Sequence, residues 1–211
     1  MTLRQLFVLA TSLTVFLAIA SGAQAGCSLA RVSGADQAVP ETRLNQKLLD
    51  AAILAQVNFE RCRHGLPRLR ASSGLRREAT GHSKWMGRAQ SLSHNSTTSG
   101  RQTVRQRLKR SGIKLHAGSE NIGMFHFYQL DGRPFLVRSD AACHFTTHSG
   151  RELPRHTYRS LSMMAVAYWM ASPHHRVNIL DTKVSHMGSG TYVNVQGEYC
   201  GTVFMAQNFV G

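Results

Sequence analysis

Cysteine, histidine and serine are the side chains of this sequence that could carry chemistry. The cysteines are Cys27, Cys62, Cys143 and Cys200. No two of them form a Cys-x-x-Cys pair, the spacing typical of zinc ribbons and thioredoxin-like redox centres. A Gly-x-Ser-x-Gly nucleophile elbow is also absent, because Gly188-Ser189-Gly190 has a different spacing and is typical of a glycine-rich strand. The sequence therefore indicates neither a zinc ribbon, nor a thioredoxin-like centre, nor a serine hydrolase.

Two disulfides are the simplest interpretation of the four cysteines, and buried free thiols are the alternative. Four cysteines allow three connectivities. We expect Cys27–Cys62 together with Cys143–Cys200, because the first bond would tie a loose N-terminus to the first predicted helix. Disulfides would also indicate an oxidising compartment.

Residues 1–25 predict a cleavable secretory signal peptide. Arg4 precedes an apolar stretch, and Ala23 and Ala25 occupy the small-residue positions that a signal peptidase requires, so we expect cleavage before Gly26. An uncleaved anchor is the alternative, but the stretch of about fifteen residues is shorter than the roughly twenty needed to span a bilayer. Lipidation of Cys27 is disfavoured, because lipoprotein signals usually have an aliphatic residue where Gln24 stands. We expect an exported protein, extracellular or periplasmic.

The chain is strongly cationic, with 25 basic and 11 acidic residues and a net charge of +14. In the cytoplasm such a balance would suggest nucleic acid, but a signal peptide argues against that partner. Outside the cytoplasm the available polyanions are anionic lipids and envelope polymers, so weak peripheral contact with a membrane or envelope is one interpretation. A merely soluble surface is the other.

The remaining pattern predicts an α+β domain that is helical first and paired in strands last. Residues 26–42 are small and polar and predict a flexible leader before a domain at 43–211. Helical spacing of apolar residues predicts helices over 43–64, from a cap at Ser73 to about Gln90, from Val104 to Lys109, and from Leu161 to Pro173. An irregular insertion is expected at about 130–159, and a hairpin from Met187–Val193 and Thr202–Val210.

Five segments, in this order, resemble the cysteine-rich secretory, antigen 5 and pathogenesis-related (CAP, or SCP-domain) superfamily in its short bacterial form. They are Asn58–Arg61 with His64–Leu69, Leu92-Ser93-His94, Gly118–Gly123, Trp169–Leu180, and Met187–Gly190 with Phe204–Phe209. The resemblance covers roughly residues 43–211. It implies a three-layer α-β-α sandwich with a central antiparallel sheet, and a cleft formed by His94, Glu120 and His175. Ser172 stands where longer members of the family have a second glutamate.

Two interpretations of the trio His94, Glu120 and His175 remain open. Two imidazoles and a carboxylate are the ligand set of a catalytic zinc ion with one position left for water, which would make the protein a metal-dependent hydrolase. A buried hydrogen-bond network that orients an imidazole is the other interpretation. Their separations in the chain match no helical His-Glu-x-x-His motif, so only the resemblance brings them together.

Plainer roles are expected for other conspicuous residues. Helical spacing places Trp85 and Trp169 in the core, and His174 is expected to face solvent. A basic cluster predicts a solvated helix face, and an anion-binding patch is the alternative interpretation. Its members are Arg101, Arg105, Arg107, Lys109 and Arg110.

The sequence as a whole favours an exported CAP-domain protein that acts as a non-catalytic extracellular or envelope binding module. The resemblance implies lipid or sterol as possible ligands, and the charge suggests an anionic envelope polymer. No nucleic acid is expected. A zinc-dependent hydrolase using the same cleft is the alternative.

Overall fold

A computed structural model describes residues 26–211, so the predicted signal peptide lies outside the described residues. The helices are α1 (Gln46–Arg63), α2 (Ser73–Ala89), α3 (Val104–Lys109), α4 (Tyr158–Ala171) and α5 (Pro173–Ile179). The strands are β1 (Arg70–Ala71), β2 (Gly118–His126), β3 (Leu136–Ser139), β4 (His144–Thr146), β5 (His186–Asn194) and β6 (Thr202–Val210). The predicted helices are all present, although Ser72 rather than Ser73 caps α2, its side chain accepting from the Leu75 N–H.

The main sheet has the strand order β1-β5-β6-β2, with β6 in a central position. β6 pairs antiparallel with β5 and with β2 along its full length, placing Ala206 opposite both Gly190 and Ile122. The two-residue β1 joins β5 in parallel. The expected antiparallel sheet is therefore correct for the three long strands, while β1 at the edge makes the sheet mixed.

Helices cover both faces of this sheet, which confirms the three-layer arrangement. Alternate residues of a strand point to opposite faces, and β6 shows the consequence. Met205 and Phe209 pack in a large core cluster with α1 and α4, whereas Phe204 and Ala206 pack against α2. Val210 packs with α2 and α3. Each face of β6 thus has its own hydrophobic layer.

The segment expected to be a flexible leader is packed onto the domain instead. Ala35 and Val39 are 2% and 0% exposed and belong to the large core cluster. The Val39 N–H donates to the His156 carbonyl at 2.8 Å, and the Arg159 N–H donates to the Ala35 carbonyl at 2.7 Å. These two buried apolar side chains and the backbone hydrogen bonds to residues near the start of α4 attach the segment to the domain.

The insertion contains more regular structure than its sequence predicted. β3 and β4 form a two-stranded antiparallel sheet. Phe135, Phe145 and Tyr199 pack edge to face beneath it. Because its strands are short and irregularly spaced, period-two alternation did not reveal them.

Both disulfides are present with the expected pairing. Cys27–Cys62 ties the N-terminal segment to the end of α1, and Cys143–Cys200 ties the insertion to the connection between β5 and β6. No cysteine among the described residues is free. Among residues 26–211, no helix has the length and apolar character needed to cross a membrane.

Candidate functional site

Glu120 lies at the centre of the candidate site, on β2, with its side chain completely buried. Arg107 of α3 contacts both carboxylate oxygens. Its Nη2 donates to Oε1 at 2.7 Å and its Nε donates to Oε2 at 3.1 Å. A planar guanidinium matches a carboxylate in this two-point geometry, which is the strong form of the ion pair.

Arg107 corrects the prediction that the basic cluster of α3 is a solvated face. Its side chain is 1% exposed, because α3 rests on the sheet through Arg107 and Leu108. Two further N–H groups donate to backbone carbonyls: Nη1 to Arg101 at 3.0 Å and Nη2 to His94 at 2.7 Å. Arg107 therefore satisfies Glu120 and holds the loop that carries His94.

The structure places His94 in contact with Glu120. His94 follows α2 in a loop, and its Nδ1 lies 2.9 Å from Glu120 Oε1. The side chain is 48% exposed, so one side of the ring faces the carboxylate and the other faces solvent. His94 is the accessible member of the site.

His82 is a buried member of the site that the sequence did not predict. It lies on α2, with Nε2 2.9 Å from the Ser93 carbonyl and 3.7 Å from Glu120 Oε1. Burial lowers the pKa of His82 to about 4, against the opposing influence of the Glu120 charge. The ring is therefore neutral near pH 7. Its position on the apolar face of α2 was the only signal in the sequence.

His175 lies beside this cluster without joining it. Its backbone carbonyl accepts a hydrogen bond from Asn121 Nδ2 at 3.2 Å, while its ring Nδ1 is buried without a partner. Burial lowers the pKa of His175, helped by the nearby charges of His94 and His174. Within residues 26–211, no hydrogen bond or ion pair joins the ring to Glu120. The trio is thus one contacting pair with a neighbouring imidazole.

Amides from three elements hold α5 against the sheet. Asn178 Nδ2 donates to Asn121 Oδ1 at 2.8 Å, and Asn121 Nδ2 donates to Gln207 Oε1 at 3.1 Å. Asn121 and Gln207 are completely buried, so the bond between them forms away from water, whereas the bond from Asn178 is partly buried. These residues fall inside the segments that carried the family resemblance, which was the signal that could have identified them.

The contacts of Glu120 do not fit the donor set of a zinc site. Both oxygens face the Arg107 guanidinium, whose positive charge would repel a metal ion at the same position. Among the described residues, no group of three or more His, Cys, Asp or Glu side chains is placed to hold a metal. Zinc ligation by His94, Glu120 and His175 stays a sequence prediction that this geometry does not support.

The other conspicuous residues largely behave as expected. Trp169 is completely buried and its Nε1 donates to the Ile122 carbonyl at 3.1 Å. His174 is exposed. Trp85 was predicted to lie in the core but is only partly buried. One part of its side chain packs against the hydrophobic cluster beneath α2, and the rest is exposed.

Comparisons with known proteins agree with the architecture. A family model described as "CAP: Cysteine-rich secretory protein family" matches residues 54–209. Comparison with curated proteins gives no match. A Bacillus anthracis extracellular protein containing an SCP domain is 25% identical, with a TM-score of 0.53 over 78% of this chain. This chain spans 41% of the length of that structure.

Two further solved structures are more distant. An outer surface protein of Borrelia burgdorferi is 13% identical with a TM-score of 0.48, covering 76% of this chain and 90% of its own. A cysteine-rich secretory protein of Staphylococcus aureus is 15% identical with a TM-score of 0.45, covering 79% of this chain and 39% of its own.

Proposed function

Since this chain belongs to the cysteine-rich secretory protein (CAP) family, we propose that it is an exported binding module that associates with anionic polymers of a cell envelope. In this proposal the site around Glu120 organises the binding domain and performs no catalysis.

The observation that carries the non-catalytic role is the pairing of Glu120 with Arg107. A general base needs a carboxylate oxygen directed at a substrate or at water. Both oxygens of Glu120 instead accept from a buried guanidinium, and Oε1 also contacts His94. The only carboxylate of this cluster is therefore committed to holding the loop and α3 in place.

Export and an anionic partner are supported by other features. Two disulfides are typical of extracytoplasmic proteins, and the similar Bacillus anthracis protein is described as extracellular. The net charge of +14 favours long-range attraction to polyanions, which outside the cytoplasm means envelope lipids and polymers.

Co-sedimentation tests this function. The protein purified from the exported fraction is mixed with isolated cell envelopes at low and at high salt. We expect it to sediment at low salt and to be released at high salt, because salt screens charge attraction. The variant His94→Ala should sediment like the parent, because in this proposal the Glu120 site organises the domain and does not contact the polymer. Protein that stays in the supernatant at every salt concentration would refute the proposal.

A further inference from the structure

The exposed face of α2 carries a trough beside the Glu120 site, and His82 and Arg107 of that site line part of one of its two cavities. We call it the α2 trough and define it by Arg77, Gly81, Lys84, Trp85, Arg88 and Arg101. Counted from Gly81, the other four helical members lie three, four or seven residues away, which places them on one side of the helix. Two cavities of about 310 Å³ and 350 Å³ lie along it, and they share Gly81 and Thr98. They therefore form one continuous depression.

The α2 trough has an excess of positive charge with unused donors. The carboxylate that lines it, Glu78, is 1% exposed and is already paired, with Arg101 Nε at 2.7 Å and Arg77 Nε at 3.2 Å. Within residues 26–211, the terminal amino groups of Arg101 donate to no other residue, and Lys84 and Arg88 form no ion pair. A ligand lying in the trough would meet cations at both ends and no free acid.

Gly81 at the middle of the α2 trough has no structural explanation. It is exposed in the interior of a helix, where glycine is less favourable than alanine. A Cβ built there would meet no atom within 4 Å, so packing inside the protein does not require its absence. The missing side chain opens the floor of the trough to the close approach of something else.

Trp85 gives the α2 trough a flat apolar wall next to this opening. Its indole stacks on His82 with ring centroids 5.7 Å apart, and its Nε1 donates to Thr97 Oγ1 at 2.9 Å. These contacts fix the orientation of the ring, while its exposed part lines the second cavity. A fixed aromatic surface beside cationic groups suits a ligand with alternating apolar and anionic parts.

We infer that the α2 trough binds a linear anionic polysaccharide. The carboxylate, sulfate or phosphate groups pair with Arg77, Lys84, Arg88 and Arg101, and a sugar ring packs on Trp85 above Gly81. From Arg77 to Arg88 the helix rises about 16 Å, long enough for several consecutive sugars. An open trough lets a chain enter at one end and leave at the other. This inference rests on the proposed function and names the surface and the ligand class.

Isothermal titration of the full exported protein tests the inference. The probes are oligogalacturonate, dextran sulfate and teichoic acid, which carry carboxylate, sulfate and phosphate, with neutral dextran and polyglutamate as controls. We expect the best of the three anionic glycans to bind about tenfold more tightly than polyglutamate, a difference of about 1.4 kcal/mol. Neutral dextran should not bind.

Matched variants separate the α2 trough from overall charge. Lys84→Gln with Arg88→Gln should weaken glycan binding about tenfold, whereas Arg105→Gln with Lys109→Gln, the same charge change on α3, should change it less than about twofold. Gly81→Ala should raise the melting temperature and still weaken binding, because alanine favours the helix but fills the floor.

The outcomes distinguish this inference from the proposed function. Three results would overturn the inference that the α2 trough binds the glycan. They are equal losses of binding in the two double variants, equal binding of polyglutamate, and unchanged binding in Gly81→Ala. If the chain sediments with envelopes in that case, the proposed function stands without it. If the chain does not sediment at all, the proposed function fails first.

Discussion

At the scale of single residues, the ion pair between Glu120 and Arg107 affects stability through its burial. Both side chains are removed from water, so neither charge can be solvated if the other is lost. A buried pair of this kind adds little over a well-packed apolar pair, but breaking it leaves an uncompensated charge. The pair is therefore a strong determinant of stability even though its formation contributes little.

Substitution of Arg107 measures this asymmetry. Arg107→Met should lower the free energy of unfolding by about 3–5 kcal/mol, because it leaves the buried Glu120 carboxylate without a charged partner. Arg105→Met, an exposed arginine on the same helix, should change it by less than about 0.5 kcal/mol. Urea denaturation monitored by circular dichroism gives both values. Similar losses in the two variants would show that Glu120 is not buried as described.

Asp50 of α1 is a buried carboxylate whose environment opposes its ionisation. Its Oδ1 accepts from the Ser189 N–H at 2.6 Å, and Arg76 lies 3.4 Å from Oδ2. Burial outweighs both contacts and raises the pKa of Asp50 to about 6. Because the folded pKa exceeds the ordinary value of 3.8, this residue costs stability as pH rises through about 6.

Removing the Asp50 charge should therefore stabilise the protein. Asp50→Asn keeps an oxygen for the Ser189 N–H, and at pH 7 it should raise the free energy of unfolding by on the order of 1–3 kcal/mol. The advantage should disappear below about pH 4, where the carboxyl is protonated in both states. Thermal melts across this range measure it. Asp140→Asn, at an exposed position, should have no such effect, and a destabilised Asp50→Asn at pH 7 would contradict the argument.

Two buried histidines act in the opposite direction. Burial lowers the pKa of both His82 and His156 to about 4. Because the folded pKa is below the ordinary 6.5, the unfolded chain binds protons first, and stability falls as pH drops from about 6.5 to about 4. Asp50 partly offsets this loss in the parent protein. In Asp50→Asn the decline over the same window should accordingly be steeper, which the same melts would show.

At the scale of elements, the contact between α2 and β5 depends on two glycines. A Cβ on Gly188 would overlap the backbone of Arg76, and one on Gly190 would overlap the backbone of Thr80. Backbone cannot move aside as a flexible side chain can, so the helix could approach the strand this closely only where side chains are absent.

An added methyl group at this contact should be costly. Gly190→Ala should lower the free energy of unfolding by about 1–3 kcal/mol or more, because α2 must shift away from the sheet. Gly81→Ala places the same methyl group on the outer face of α2 and serves as the control. Chemical denaturation compares them, and equal stability would argue against close packing at Gly190.

The sequence predicted the elements better than their contacts. The helices followed from apolar spacing, and the final hairpin from two β-rich segments around Gly197. The reason for Gly188 and Gly190 could not be predicted, because it depends on which helix lies above the strand. The burial of Arg107 was missed for a related reason. A basic helix is normally exposed to solvent, and the sequence does not show that a carboxylate on a distant strand pairs with one of its arginines.

At the scale of the whole molecule, the disulfides attach peripheral segments, whereas hydrophobic clusters hold the layers of the sandwich together. Neither the large core cluster nor the α2 clusters contain a cysteine. Cys27–Cys62 closes the N-terminal segment onto α1, and Cys143–Cys200 closes the insertion onto the β5–β6 connection. Each bond therefore attaches a peripheral segment covalently to another part of the domain.

Selective removal of the bonds tests this division. Cys143→Ser with Cys200→Ser should expose residues 130–157 to limited proteolysis, because the insertion loses its covalent attachment. Cys27→Ser with Cys62→Ser should instead expose the segment before α1. Each pair is the control for the other, with fragments identified by mass spectrometry. Cleavage within β5 or β6 as the first event would show that the sandwich itself needs the bonds.

The strand order has a consequence for how the chain is made. β2 and β5 are both synthesised before β6, yet each pairs with β6 along its whole length. β6 must therefore be synthesised before the sheet can close, and no two of the three long strands can form their native pairing earlier. The sheet therefore stays open until β6 has been synthesised. In the exported protein that we propose, this delay suits passage through a translocation channel, which admits an unfolded polypeptide, and it leaves the final folding step to the compartment where the disulfides form.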